Sequence, residues 1–295
     1  MLCGSLIGIG GANRIETQSI EELQRMLSRF RANNFSICDE LLLELGAGCF
    51  PLGAMVNHSC APTCAVTSVP SCRPSVSSRL LDIALPRRER QQRLQHKYHF
   101  DCSCSRCSRP LEDPESLDAF LDADIDGISQ EKWSTERREG LERALQEVSE
   151  ATGRAASASN PVDQQKQHIE ALKQLMERQS RLLHPENIEL LKTCSALFSA
   201  EMERGGVAEA VGHGERMLQF YRHVYSRNHP MTGLHLFTLG DLQAQLAQAA
   251  AGDAARQKKA TEYLTEARRI LQITHGKSHR FVEMLARRLQ DGAEP

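Results

Sequence analysis

Three cysteines within six residues, Cys102, Cys104 and Cys107 in the segment YHFDCSCSRC, constrain this chain more than any other feature. One short turn can aim three thiolates at a single point, and a tetrahedral zinc ion then needs only a fourth ligand from elsewhere. A disulfide framework is the competing use of cysteine, but ten cysteines in 295 residues are sparse for a small extracellular scaffold. The opening MLCGSLIGIGGA has no positive charge ahead of its apolar run and no small-x-small cleavage site, so it does not read as a secretion signal. In a reducing compartment the C-x-C-x2-C spacing is a metal knuckle. Cys60 is the first choice for the fourth ligand, with Cys64, Cys72 and His99 as alternatives.

Composition excludes several function classes. With 40% apolar and 25% charged residues the chain can bury one or two cores. A net charge of −2 provides no global attraction to nucleic acid or anionic lipid. No apolar run reaches the roughly 18 residues a membrane-spanning helix needs. Charge is distributed unevenly: Arg79 to Arg109 holds eight basic residues against three acids, and Leu111 to Asp126 holds seven acids and no base, which marks a boundary. The run Arg87-Arg88-Glu89-Arg90, with Arg93, Lys97 and Arg106, lacks interleaved aromatics for base stacking and reads as a solvated helix face. Asp122-x-Asp124-x-Asp126-Gly127 copies the first half of a calcium loop. Trp133 occupies the position where such a loop needs a bidentate glutamate, so the stretch reads as an acidic linker.

Within residues 14 to 45 the text IEELQRMLSRFRANN predicts a helix, with Ile20, Leu23, Met26, Leu27 and Phe30 at helical spacing, followed by the short apolar stretch FSICDELLLEL. Gly46, Gly48, Pro51 and Gly53 break regularity, and the turn-rich text to Leu85 ends in a strand expected over Arg79 to Leu85. Residues 20 to 85 thus read as a small, irregular mixed domain. Beyond Ser129 the pattern is helical to the end. His184-Pro185, His229-Pro230 and Ser278-His279 recur 45 and then 50 residues apart, each between amphipathic segments. Helical hairpins that share a continuous core, as in tetratricopeptide-type arrays, are the natural way to bury such stripes.

The tetrapeptide Asn57-His58-Ser59-Cys60 adds chemistry to the knuckle. After a Gly/Pro-rich turn it offers amide, imidazole and backbone groups to a polar ligand, while its cysteine reaches the metal; the plainer reading is a capped turn beside a structural zinc. NNFSICDELLLELGAGCFPLGAMVNHSCAPTC, then KYHFDCSCSRC, then a helical-repeat tail resembles the SET and MYND domain-containing (SMYD) family of protein-lysine methyltransferases. The likeness covers about residues 20 to 110 by motif and 129 to 295 by architecture.

That resemblance implies an α+β, mostly α, chain. Residues 1–100 would be the C-terminal part of a β-rich SET fold, 101–110 a post-SET zinc cluster, 111–128 the acidic linker and 129–295 a tetratricopeptide-like antiparallel helical domain. It implies S-adenosylmethionine binding by Asn33, Asn57, His58 and Phe100, a substrate-lysine channel lined by Phe35, and zinc held by Cys60, Cys102, Cys104 and Cys107. It also implies a monomer in cytoplasm and nucleus that meets histone tails or other protein lysines, with neither membrane nor sequence-specific nucleic-acid binding. The departures are specific. The family's glycine-rich cofactor loop and MYND module are not seen, and Gly8-Ile9-Gly10-Gly11 reads as a turn. The strand that ends in the family's tyrosine is also missing, since LLDIAL passes directly into PRRERQQ. No catalytic residue is therefore identified, and S-adenosylmethionine binding is expected to be weak or lost. The alternative function is a non-catalytic, zinc-stapled scaffold that binds partner peptides through its helical repeats.

Overall fold

The apolar spacing of the first segment forms α1 (Thr17–Asn33), which runs directly into an antiparallel hairpin of β1 (Asn34–Cys38) and β2 (Glu44–Cys49). The computed structural model describes residues 17–62 and 82–291, apart from 56, 114, 130, 131, 144, 145, 147–160 and 251. Leu42, at φ 67°, and the Asp39 carboxylate, which accepts the Leu41 and Leu43 N–H groups, shape the hairpin turn. Gly46 and Gly48, expected to end regular structure, lie inside β2 because register with β1 holds them there. At Gly48 a side chain would meet the Ile37 methyl and the Phe50 ring at 3.0 Å, so glycine is what lets both fold over the strand. A four-residue turn of helix, α2 (Pro51–Ala54), leads to the Asn57–Cys60 segment.

After Asp82 the chain does not form the expected strand over the residues described. Residues 83–85 make a turn in which the Asp82 carboxylate accepts the Ala84 N–H at 2.9 Å, and Pro86 then opens α3 (Arg87–Tyr98). Ile83, Ala84 and Leu85 are all buried, whereas a strand would bury alternate residues. The remainder of that expected strand, with Cys64, Cys72 and the Gly8–Gly11 turn, lies outside the described residues.

Among the described residues six long helices follow: α4 (Pro161–Leu182), α5 (Ile188–Arg204), α6 (Val207–Val224), α7 (Pro230–Ala249), α8 (Ala254–Thr274) and α9 (Arg280–Asp291). Each packs on the next in sequence. The recurrent histidines are turn builders. His184, His229 and His279 each accept, at Nδ1, the backbone N–H two residues on, at 3.2, 3.3 and 3.3 Å. Pro follows in two of the three, and Pro230 takes the first position of α7, which needs no donor. One buried cluster joins α4 to α6 through Ile169, Leu172, Leu190, Leu197 and Phe220; a second joins α7 to α9 through Leu236, Leu239, Ile270 and Leu285. No described helix is long and apolar enough to cross a membrane.

The acidic stretch is not a bare spacer. Ser116, Asp118, Ala119, Leu121, Ala123 and Asp124 are buried, and Leu121 joins the α4–α6 cluster. The Ile188 N–H donates to Leu121 O, while the His184 N–H and the Asn187 amide donate to Ala123 O, so this segment satisfies the start of α5. The calcium-like acids are tied internally: Arg137 pairs with Asp124 and Asp126, and Ser129 donates to Asp122. Burying a leucine contributes about 1.5–3 kcal/mol and each of these hydrogen bonds about 1 kcal/mol. A chain from residue 129 to 295 should therefore melt roughly 10 °C below one from 111 to 295, at about 2–4 °C per kcal/mol. Equal midpoints in circular dichroism would show that the segment adds nothing to the array.

Candidate functional site

The knuckle begins where α3 ends. His99 takes the left-handed cap position, φ 60° and ψ 36°, and turns the chain into Phe100 and the three cysteines. Cys60 meets them from the Asn57–Cys60 segment. The ligand atoms of Cys60, Cys102, Cys104 and Cys107 all lie within 4.8 Å of one another, with Cys60 and Cys102 sulfurs 4.0 Å apart. A zinc ion with bonds of about 2.3 Å places its sulfurs about 3.8 Å apart. The donor set and its spacing fit a tetrahedral four-thiolate ion. Of the alternatives for the fourth ligand, His99 serves as the helix cap.

The protonation pattern of the bare sulfurs agrees with this. Cys107 is held down to about 5, first by its hydrogen bond with Cys60 and then, against burial, by the Arg90 guanidinium. The same bond and burial push Cys60 up. Burial also raises Cys102, while at Cys104 it is outweighed by hydrogen bonds from the backbone of Cys107 and Cys60. The four sulfurs are thus close enough to perturb one another's acidity.

Around the sulfurs stands a shell that the basic-helix reading missed. Arg90 and Arg106, expected on a solvated face, are buried. Arg90 donates to both carboxylate oxygens of Asp118 at 2.7 Å, to Leu85 O at 2.6 Å and to the Cys107 sulfur at 3.5 Å. Arg106 donates to Asp118 at 2.7 Å, to Ile83 O at 2.7 Å and to Cys60 O at 3.3 Å. Burial alone would raise the Asp118 pKa, yet the two guanidiniums outweigh it and hold the carboxyl below its ordinary value. Gln91 completes the clamp by exchanging two hydrogen bonds with the Cys102 backbone, at 2.7 and 2.8 Å. The available signal was Leu94, the one aliphatic residue of α3, four positions from Arg90 and therefore on the same face.

The residues implied for a cofactor fall in two places. His58 Nε2 lies 3.2 Å from the Cys60 sulfur, and its ring is 6.1 Å from that of Phe100, which packs against the knuckle. Asn57, next to them, is exposed. Asn33 closes α1, its amide donating to Arg29 O, and Phe35 packs edge-on against Phe50 in the hairpin. Tyr98 packs into the knuckle, while Tyr221, Tyr225 and Tyr263 stand with the helical array.

No family model matches the chain. It is similar over nearly its whole length to curated proteins. The histone-lysine N-methyltransferase ASHR1 of Arabidopsis thaliana is 26% identical over 92% of this chain and 61% of its own length. The human histone-lysine N-methyltransferase SMYD3 is 25% identical over 94% of this chain and 62% of its own length. The human N-lysine methyltransferase SMYD2 is 24% identical over 92% and 60%. The chain thus spans about three fifths of the length of the relatives it matches.

Proposed function

We propose that this chain is a SMYD-family protein-lysine methyltransferase homologue that combines a zinc-stapled part of a SET fold with a tetratricopeptide-like helical domain. The observation that carries the reading is the convergence of Cys60, from the Asn57–Cys60 segment, on the Cys102–Cys107 knuckle, in a chain whose relatives are lysine methyltransferases. The ligand would be S-adenosylmethionine, whose sulfonium supplies the methyl group. Asn57, His58 and Phe100 would hold it beside the metal centre, with Asn33 contributing from the end of α1, and Phe35 would line the channel for the substrate lysine. The substrate would be a lysine of a histone or another protein.

Methyl transfer needs in-line alignment of donor and amine, and loss of a positioning group removes much of the rate. Of the four tyrosines, Tyr98 is engaged in the knuckle and the others in the helical array, which leaves none assigned to orient the amine. Turnover would therefore be slow. Calorimetric titration with S-adenosylmethionine and a radiolabelled methyl assay on mixed histones test this. Weak binding that Asn57→Ala abolishes supports the reading. Absence of any binding assigns the chain instead to the scaffold function. Tight binding with fast turnover would show that another residue replaces the tyrosine.

A further inference from the structure

Most ion pairs among the described residues lie at the surface, but the side chains of Arg90, Arg106 and Asp118 are 0%, 6% and 0% exposed. Two guanidiniums against one carboxylate leave one positive charge without a partner. Such a charge is strongly unfavourable away from water unless a negative group stands beside it. Arg90 points at that group, with Nη2 3.5 Å from the Cys107 sulfur while it also holds Asp118. A divalent ion bound by four thiolates carries two net negative charges, so the arginines and the metal centre each supply what the other lacks.

Asp118 belongs to neither α3 nor the knuckle. It lies in a 3-10 turn, Leu117–Ala119, of the segment whose Leu121 and Ala123 lock onto α5. Ile125 extends this lock by donating to Leu182 O at the end of α4. One hydrogen-bonded route from the sulfurs to the helical array therefore passes through Arg90 and Asp118, beside a second that runs from Arg106 to Ile83 O and from Asp82 to the Tyr225 hydroxyl.

We propose that Arg90 and Arg106 form the charge-compensating shell of the four-thiolate zinc centre, and that Asp118, gripped by both, makes docking of residues 116–124 on the helical array depend on bound metal. The inference rests on the zinc assignment. With the ion gone, nothing fixes the four sulfurs at one point beside Arg90, and the clamp on Asp118 loosens. Arg90 acts here as a positioning residue. Its hydrogen bond stabilises the sulfur electrons of Cys107 and fixes the linker in one stroke.

Hydrogen exchange on the full chain, zinc-loaded and then chelated under reducing conditions, tests the coupling. Exchange at residues 116–125 should accelerate at least tenfold on metal removal, with the α7–α8 amides unchanged. Unchanged protection of 116–125 would overturn the proposal. Cobalt(II) in place of zinc gives a second readout. Arg90→Met should move the sulfur-to-cobalt charge-transfer band to lower energy and weaken the metal at least tenfold, effects that a purely structural role would not produce on the band. Asp118→Asn keeps the shape, should leave the band in place, and should accelerate exchange at 116–125 even in loaded protein. A protein that binds neither zinc nor cobalt refutes the premise, whereas metal binding without any exchange difference refutes the coupling itself.

Discussion

Cys60→Ser should abolish zinc binding by the four-cysteine cluster and, with it, the fold of the knuckle and the segment that leads into it. Cys60 is 1% exposed, and its sulfur is the contribution of the Asn57–Cys60 segment to the centre. Structural zinc contributes on the order of 10 kcal/mol to folding in small modules, more than the few apolar residues around these sulfurs provide. That neighbouring core consists of Leu94, Tyr98 and Phe100 beside the cysteines. Zinc content should fall from one per chain to near zero, and protease cleavage should concentrate between residues 57 and 110. The α7–α9 helices, with their own buried cluster, should remain folded. A Cys60→Ser protein that keeps stoichiometric zinc and its protease resistance would contradict this.

Acid should destabilise the helical array from about pH 6.5 downward, before its carboxylates begin to be protonated. Burial pushes His275 down to about 4, with His279 adding to the effect, and burial likewise lowers His184, His213, His235 and His279. Two of these groups are used neutral: His184 and His279 accept backbone N–H groups at Nδ1. A folded pKa below the unfolded value of about 6.5 means that the unfolded chain takes up protons first. The stabilisation is complete above pH ~6.5, declines as pH falls, and for His275 is lost once pH passes about 4. His275 alone accounts for about 3 kcal/mol across that window. The melting midpoint of the helical signal should drop by roughly 10 °C between pH 7.5 and 5, and His275→Gln should flatten the profile. A midpoint independent of pH in this range would show that the buried histidines carry protons in the fold.

The knuckle was legible in the sequence because its ligands are local. Cys102, Cys104 and Cys107 occupy one turn, and only Cys60 had to be found at a distance, beside an Asn-His pair. The helical array was legible for a similar reason, since His184, His229 and His279 repeat the same turn chemistry. The fold departed from the text where tertiary contacts overrode local pattern. LLDIAL has the composition of a strand, yet the Asp82 side chain and Pro86 make residues 83–85 a turn whose side chains are all buried. Gly46 and Gly48 read as breakers but are held in β2 by pairing with β1. Arg90, Arg106 and Asp118 were the largest omission. Charge reads as surface until a buried counter-charge is known, and here that counter-charge comes from residues 28 and 12 positions away along the chain. The acidic stretch was misread for the same reason, its Leu121 and Ala123 hidden among seven acids.

X-ray absorption at the zinc edge of the purified full chain addresses the central assignment most directly. Four sulfur scatterers at about 2.3 Å, with no nitrogen or oxygen in the first shell, are predicted for Cys60, Cys102, Cys104 and Cys107. A first shell with three sulfurs and one imidazole nitrogen, or a protein without zinc, would contradict it.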